Sequence, residues 1–180
     1  DKGAVSCVGI NDVDAAQSVI SHLVEKGYQR IALINHDLSY KYARLRERGY
    51  KAALHALSLE YQAVEYASEL SSSAGIAAMK TLLAAEVKPD AVFAVSDTLA
   101  AGAMRAIFDA GLQIPQDIAV VGFDGTELAE MVSPQLSTIE QPSRDIGRKA
   151  VGLLLNKIEN PDAQTERVMM DWRYISRAST

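Results

Sequence analysis

Residues 119–130 of the sequence read AVVGFDGTELAE, and the interpretation of the whole chain starts from this stretch. The apolar run 118–121 predicts a strand that is buried on both faces, as in a parallel sheet. The run ends in Gly122, Phe123, Asp124 and Gly125. A turn after a strand needs glycine but does not need a carboxylate. Asp124 is therefore a candidate functional residue at the end of a buried strand.

Predicted strands and helices alternate on both sides of this stretch, which is typical of parallel βαβ units. A glycine at position 27 suits the C-terminal cap of the first helix, and Ser39 can cap the second. Apolar runs and alternating patterns predict strands at 5–10, 30–35, 61–67, 91–95, 118–121, 136–139 and 168–176, and helical periodicity predicts helices at 12–26, 39–57, 72–85, 97–111 and 143–157.

Composition excludes several classes of protein. The chain has 180 residues, a net charge of −5 and one cysteine, Cys7, which cannot form an internal disulfide bond. Its apolar runs are shorter than the roughly 20 residues of a membrane helix. The negative charge argues against direct binding of this chain to a DNA backbone. The first residue is not methionine, so the absence of a signal peptide carries little weight.

Motifs of catalysis and metal binding are absent from the sequence. It lacks the glycine-rich nucleotide loops and the nucleophile elbow. His22, His36 and His55 do not have the spacing of metal ligands with each other or with Cys7. Because no nucleophile, base and orienting group stand together, we predict a protein that is not an enzyme and uses no cofactor or metal.

Polar residues follow several of the predicted strands. In an open parallel sheet the ligand site lies beyond the carboxyl ends of the strands. These residues can hydrogen-bond a hydroxylated ligand, and they are Asn11, Asp12, Asp14, Asn35, His36, Asp37, Ser96, Asp97 and Asp124.

Arg46 is the most informative single residue. At about 100° per residue it lies on the same helix face as Tyr42, Gly49 and Tyr50, and this face points inward. A buried guanidinium requires acceptors. Arg46 is therefore either one partner of a structural ion pair with a core aspartate or a forked donor to ligand oxygens. Ser96 and Asp97 also have two interpretations, because both residues are good helix N-caps.

The helix that follows Asp97 is apolar on two sides. Leu99, Ala103 and Ile107 belong to its core stripe. Ala101, Met104 and Phe108 form a second apolar patch on roughly the opposite side. Such a helix is either buried on both sides or part of an interface. We interpret the patch as a homodimer contact, and the alternative is cover by another element of the same chain.

Several segments together resemble the effector-binding core of the lactose/galactose repressor family. They cover most of the chain: HLVEKGYQRIALI (22–34), RERGYKAAL (46–54), VFAVSDTLAAGAMRAI (92–107), IPQDIAVVGFDGTELAE (114–130), PQLSTIEQPSRDIGRKAVGLLL (134–155) and ISRAST (175–180). VVGFDG alone also resembles periplasmic sugar-binding proteins, which share the fold. The pairing of PQLSTIEQP with SRAST favours the repressors.

The resemblance implies an α/β fold of the periplasmic-binding-protein type I, with parallel βαβ units. In this interpretation residues 1–26 end an incomplete amino-terminal subdomain. Residues 27–140 form a complete carboxyl-terminal, effector-binding subdomain. Residues 141–158 form a helix that returns to the amino-terminal subdomain, and residues 159–180 carry a final strand. The DNA-binding headpiece of the family is absent from this sequence.

The resemblance also implies a set of ligand contacts. The family's hydroxyl-binding arginine corresponds to Arg46, and its other contacts correspond to Asp14, Tyr42, Ser96, Asp97 and Asp124. The position at which many members stack an aromatic ring on the ligand corresponds to Leu70, so the resemblance implies no stacked aromatic ring at this position in this chain. A second departure is Ile10-Asn11, where many members have Asp-Asn.

The function implied by the resemblance is that of a cytoplasmic, dimeric transcriptional repressor. A sugar or related metabolite would bind between the two subdomains and change the affinity of the headpieces for operator DNA. The alternative is a periplasmic sugar-binding protein that delivers its ligand to a transporter. A helix-turn-helix upstream of this sequence would favour the repressor, whereas a signal peptide would favour transport.

Overall fold

The computed structural model describes residues 5–180 and has an α/β architecture, which confirms the fold class predicted from the sequence. Residues 1–4, which the predicted segment 1–26 includes, lie outside the described residues. Within the described residues, every helix is too short or too polar to span a lipid bilayer.

The strands follow the alternating pattern that the sequence predicts. They are β1 (Cys7–Gly9), β2 (Ile31–Asn35), β3 (Ala63–Tyr66), β4 (Ala91–Ala94), β5 (Ala119–Asp124), β6 (Ser137–Glu140), β7 (Arg167–Met169) and β8 (Arg173–Ile175). The helices are α1 (Asp12–Glu25), α2 (Lys41–Ala56), α3 (Ser72–Ala84), α4 (Asp97–Asp109), α5 (Leu128–Met131) and α6 (Ser143–Glu159). The short helix α5 was not predicted.

The main sheet has six strands in the order β3-β2-β4-β5-β6-β8, and the neighbours from β3 to β6 pair in parallel. Every residue of β2 and β4 is buried, and so are the first five residues of β5. Strands buried on both faces require cover on both sides of the sheet. Because the strands are parallel, the residues that follow β2, β4 and β5 lie at one edge of this sheet, called the carboxyl edge below.

Glycines allow the helices to pack closely in pairs. A Cβ atom on Gly49 of α2 would lie 2.4 Å from the Val13 carbonyl oxygen of α1. A Cβ on Gly102 of α4 would lie 2.1 Å from the Ser72 carbonyl oxygen of α3, and one on Gly75 of α3 would lie 2.3 Å from the Leu99 carbonyl oxygen of α4. Real Cβ atoms do not approach backbone atoms this closely, so both helix pairs depend on the absence of a side chain.

The predicted strand at 168–176 is two strands. β7 pairs in parallel with β1 in a separate two-stranded sheet, whereas β8 lies at the edge of the main sheet beside β6. The pattern of alternating residues extends over both strands. It does not reveal the break between Met169 and Arg173, because a strand pattern carries no information about which sheet receives the strand.

The described chain divides into two compact units. The larger unit contains Asp12–Glu140 and Tyr174–Thr180, and the smaller unit contains the residues up to Asn11 and Gln141–Arg173. The sequence interpretation assigns residues 1–26 to one subdomain, whereas in the structure α1 packs on α2 and groups with the larger unit. The close contact at Gly49 is the physical reason for this difference.

The residues 174–180 complete the core of the larger unit. Ser179 is fully buried, and its hydroxyl donates to the Val120 carbonyl oxygen at 2.6 Å and accepts from the Ser137 amide at 2.8 Å. Its own amide donates to the Gln135 carbonyl oxygen at 3.0 Å. The serine in the final SRAST segment therefore joins β5 to the segment that leads into β6.

The caps of the helices agree with the sequence at some positions and differ at others. Gly27 adopts a φ of +96° two residues after the end of α1, as its predicted capping role requires. Ser71 caps α3 through a hydrogen bond from the Ala74 amide. The predicted cap Ser39 is wrong, because Tyr40 occupies the N-cap position of α2 and makes no side-chain capping bond. The Ser39 amide instead donates to Asp37 in the preceding loop.

Candidate functional site on the larger unit

Arg46 lies at the centre of the candidate site. Its contacts decide between the two roles predicted from the sequence, which are a structural ion pair with an aspartate and a donor to ligand oxygens. Its Nε donates to Asp12 Oδ1 at 2.9 Å and its Nη1 donates to the Val95 carbonyl oxygen at 2.7 Å. The residue is only 5% exposed. Asp12 is thus the aspartate partner of the structural ion pair. Among residues 5–180, no protein acceptor is recorded for Nη2, so one edge of the guanidinium retains its donors.

Aromatic rings fix the plane of this guanidinium. Its Cζ lies 3.4 Å from the centroid of the Phe123 ring and 5.0 Å from the centroid of the Tyr42 ring. Both distances are within the range of cation–π attraction. Phe123 precedes Asp124 at the end of β5, so this end of the strand supplies a surface under the cation as well as a carboxylate.

Asp124 supplies an acceptor beside Arg46. Its Oδ1 lies 3.8 Å from Arg46 Nη1, and about a third of its side chain is exposed. The backbone of Asp124 has a φ of +113°, a region that residues other than glycine rarely adopt. A strained backbone of this kind costs about 1–3 kcal/mol and occurs mainly at functional sites.

The structure places the Asp97 side chain against the turn that follows β5. Its Oδ1 accepts from Thr138 Oγ1 at 2.6 Å, and its Oδ2 accepts from the Thr126 amide at 2.7 Å and from Thr126 Oγ1 at 2.9 Å. Burial raises the pKa of the Asp97 carboxyl above its ordinary value, although these hydrogen bonds oppose the shift. Asp97 thereby holds the backbone next to Asp124.

Ser96 acts as the N-cap of α4. Its Oγ accepts a hydrogen bond from the Leu99 amide at 3.2 Å, and the residue is buried. Of the two capping candidates in the sequence, the structure selects Ser96. The carbonyl oxygen of Val95, directly before it, accepts from Arg46, so the end of β4 contributes to the site through its backbone.

The glycines on both sides of Phe123-Asp124 accommodate protein atoms. A Cβ on Gly122 would lie 2.4 Å from Asp97 Oδ1, and a Cβ on Gly125 would lie 2.6 Å from the Glu140 Cα. Gly125 also has a φ of +70°. The sequence alone indicated a turn at these glycines. The structure fills the space at both glycines with residues of the chain itself.

Tyr42 is held by a buried histidine. His36 follows β2, and its Nδ1 is hydrogen-bonded to the Tyr42 hydroxyl at 2.6 Å. Burial raises the pKa of the Tyr42 hydroxyl, while the positive charge of Arg46 acts in the opposite direction. The hydroxyl therefore stays protonated and neutral at physiological pH.

The remaining predicted contacts lie on the same unit. Asp14 is exposed in the first turn of α1, two residues after Asp12. Leu70 is 45% exposed in the loop that joins β3 to α3. The contacts described above join Arg46 with Tyr42 and Asp124 directly. Asp97 is linked to this group through Thr126, which lies in the turn after Asp124. Ser96 is linked to it through its neighbour Val95, whose carbonyl oxygen accepts from Arg46.

The predicted dimer patch on α4 is only partly accessible. Met104 is 2% exposed and therefore contributes to the core of the chain itself, as in the alternative interpretation of this helix. Phe108 is 43% exposed and Ala101 is half-buried. The periodicity of α4 could not show that Met104 is buried while Phe108 is exposed, because the cover comes from α3 and the short α5, which both pack against this helix.

Sequence reasoning missed three residues near the site. Asp12 was noted as a polar residue after a strand but was not selected, although it pairs with Arg46. Tyr40 stacks on His36 with ring centroids 4.7 Å apart. Glu47 is buried on α2 and accepts hydrogen bonds from Asn35, Lys51 and Tyr66. The helix pattern could have indicated Glu47, since it adjoins Arg46 on the inward side.

An α/β unit with a buried arginine beside a carboxylate at the carboxyl edge of its parallel sheet has the features of a small-molecule-binding domain. A family model described as a periplasmic binding protein-like domain matches residues 20–180. The chain therefore belongs to the family of periplasmic binding protein-like domains, in the lactose/galactose repressor group, which confirms the resemblance seen in the sequence.

Curated relatives and solved structures agree with this assignment. The ribose operon repressor of Escherichia coli (strain K12) is 38% identical over 159 residues, which make up 88% of this chain and 48% of that protein. The chain thus spans about half the length of the curated relatives it matches.

Some of the similar structures contain a bound sugar. A complex of the transcriptional regulator CelR with cellobiose has a TM-score of 0.93 and 32% identity, and the match covers 98% of this chain and 54% of that one. A LacI family transcriptional regulator from Enterococcus faecium with bound ribose has a TM-score of 0.90 and 29% identity, and the match covers 97% and 65% of the two chains.

Proposed function

We propose that this chain is the effector-sensing part of a bacterial transcriptional regulator and that it binds a sugar or a related hydroxylated metabolite. One observation carries the proposal: Arg46 is buried and held by Asp12 and Val95, yet its Nη2 has no recorded protein acceptor in the described residues, and the Asp124 carboxylate lies beside it. A forked donor next to an acceptor is suited to adjacent hydroxyl groups, which donate and accept.

The predicted contacts have different roles in this proposal. Arg46, Asp124 and Tyr42 contact the ligand, and Asp14 and Leu70 lie at the periphery of the site. Ser96 and Asp97 act mainly on the protein, because their side chains are engaged by Leu99, Thr126 and Thr138. Asp97 in particular positions the turn that carries Asp124.

The relatives support a regulator rather than a transport protein or an enzyme. The proteins named above are a ribose operon repressor and two transcriptional regulators, with cellobiose or ribose bound in the two structures. By analogy, we propose that the protein is cytoplasmic and dimeric, has no catalytic activity, and acts on operator DNA through a segment outside this sequence.

The direct test is a thermal-shift screen of the natural full-length protein against ribose, cellobiose, other neutral sugars, sugar phosphates and nucleosides. A ligand that binds only the native state raises the unfolding temperature in proportion to the logarithm of its concentration. We expect stabilisation by one or a few neutral sugars. Stabilisation by none of the sugars, or turnover of a bound sugar, would contradict the proposal.

Replacement of Phe108 by aspartate is expected to weaken self-association about tenfold. Phe108 is the exposed aromatic residue of α4, and a carboxylate in an apolar contact loses its hydration without gaining a partner. Sedimentation velocity over a range of concentrations measures the effect. Val87→Asp is the control, since Val87 is also exposed but lies in the loop before β4. Equal association of both variants and the wild type would argue against a dimer contact through α4.

A further inference from the structure

Three aromatic rings, those of His36, Tyr40 and Tyr42, cluster beside Arg46 and are called the aromatic cluster below. The ring centroids of His36 and Tyr40 are 4.7 Å apart, with an angle of 22° between the planes. The centroids of His36 and Tyr42 are 6.1 Å apart, and those of Tyr40 and Tyr42 are 5.7 Å apart. These spacings are within the range of stabilising aromatic contacts.

The backbone and side chains of the β2–α2 loop hold this cluster in place. His36 is buried; its amide donates to Asn35 Oδ1 at 2.8 Å, and its ring is hydrogen-bonded to the Tyr42 hydroxyl. Tyr40 is the N-cap residue of α2, and its amide donates to the Asp37 carbonyl oxygen at 3.1 Å. A ring that is fixed in advance loses little conformational entropy when a ligand packs on it.

Exposure differs sharply within the cluster. His36 is 7% exposed, whereas Tyr40 is 50% exposed although it stacks on a buried ring. Tyr40 belongs to the segment that follows β2 at the carboxyl edge, and Tyr42 joins it to the Arg46 guanidinium. The larger unit therefore has a supported aromatic surface next to its candidate hydrogen-bonding groups.

We propose that Tyr40 is a specificity-determining contact of this site and that it selects sugars in their ring form. The C–H face of a closed sugar ring is flat and apolar and can pack on the Tyr40 ring, while Arg46 and Asp124 bind the hydroxyl groups at its rim. An open-chain polyol carries similar hydroxyls but presents no such face. The inference rests on the proposed function, because it assumes that the ligand is a sugar.

The position of the stacking ring is what distinguishes this chain. The resemblance described above predicts stacking at the position of Leu70, where this chain has no aromatic ring. Tyr40 enters from a different loop, between β2 and α2, and is supported by His36. The aromatic surface therefore lies on the side of Arg46 and Tyr42.

The test compares Tyr40→Ala, Tyr40→Leu and Tyr40→Phe in the natural full-length protein by isothermal titration calorimetry. The probes are D-ribose with its open-chain alcohol ribitol, and cellobiose with cellobiitol, in which one ring is opened. We expect Tyr40→Ala to weaken binding of the closed-ring probe about tenfold, an aromatic contact being worth roughly this factor, and Tyr40→Phe to stay within about twofold.

The protein's preference for closed-ring over open-chain probes distinguishes a ligand contact by Tyr40 from a purely structural role of this residue. Tyr40→Ala and Tyr40→Leu should lower the ratio of affinities for the ring and open-chain probes, while their unfolding temperatures without ligand stay close to that of the wild type. An unchanged ratio in Tyr40→Ala overturns the inference.

Arg46→Lys identifies which proposal has failed. If this variant loses affinity while Tyr40→Ala binds normally, the sugar site stands and the role of Tyr40 is wrong. If the wild type binds neither closed-ring probe, this inference is overturned, and the thermal-shift screen against the other sugars decides separately on the proposed function.

Discussion

Replacement of Arg46 by alanine is expected to abolish stabilisation by ligand and to lower the free energy of unfolding by about 3 kcal/mol. The change leaves the Asp12 carboxylate without its cation and removes the donor to the Val95 carbonyl oxygen. Removal of one member of a buried ion pair is costly because the other charge stays buried. The Asp12 side chain is 15% exposed, so we expect the lower part of the usual range.

Urea denaturation with and without ligand measures both effects. Arg48→Ala is the matched control, because Arg48 is an exposed arginine on the same helix and its loss should change stability by less than about 0.5 kcal/mol. Arg46→Lys keeps the charge but lacks the planar fork, so it should retain most of the stability and lose the response to ligand. A normal ligand response in Arg46→Ala would remove this residue from the site.

Replacement of Gly102 by alanine is expected to destabilise the larger unit by about 3 kcal/mol, near the upper end of the usual cost of overpacking. The added Cβ would lie 2.1 Å from the Ser72 carbonyl oxygen and 2.9 Å from the Ile76 nitrogen, and both are backbone atoms that cannot rotate away. The helices α3 and α4 would have to separate along their contact.

Gly152→Ala is the matched control, because it makes the same chemical change but is expected to increase stability. Gly152 lies in α6, and a Cβ at this position meets no atom within 4 Å. Since alanine is the better helix former, this variant should gain about 0.5–1 kcal/mol. Urea denaturation followed by circular dichroism compares the two variants. Similar small effects in both would show that the α3–α4 contact yields easily.

The order of strands and helices could be predicted because the chain carries a clear signal for each element. The runs at Ile31–Asn35 and Ala91–Ala94 are entirely buried, as continuous apolar sequences indicate. The short helix α5 has four residues and no periodic pattern, so it could not be identified. The break between β7 and β8 could not be predicted for a different reason. It depends on the strands with which they pair, β1 and β6, and these are distant in sequence.

Two kinds of sequence information predicted residues of the candidate site. One is the face of a helix on which a residue lies, and the other is its position at the end of a strand. Arg46 and Asp124 were found in this way, and the structure brings them within 3.8 Å of each other. The partners of these residues could not be assigned, because Asp12, Val95 and Thr126 are brought together only by tertiary packing. Asp97 illustrates the ambiguity, since a helix-capping residue and a buried anchor have the same sequence signature.

The strained backbone of Asp124 gains a physical explanation from its neighbours. Thr126 and Thr138 both donate hydrogen bonds to Asp97 and so attach the turn that follows Asp124 to this residue. The Gly125 amide in the same turn donates to Thr138 Oγ1 at 3.3 Å. A residue with positive φ persists only where the surrounding contacts determine it. Asp97 and the two threonines therefore fix the direction of the Asp124 carboxylate before any ligand arrives.

The interleaving of the two units has a consequence for biosynthesis. The larger unit needs residues 174–180, yet the 33 residues Gln141–Arg173 of the smaller unit are translated first. At roughly 5–20 residues per second the ribosome takes about 2–7 s over this interval. During this time the nascent sheet has an unpaired edge at β6, and Val120 and Ser137 lack the serine that joins them. A chaperone that binds exposed strand edges would meet its substrate in this window.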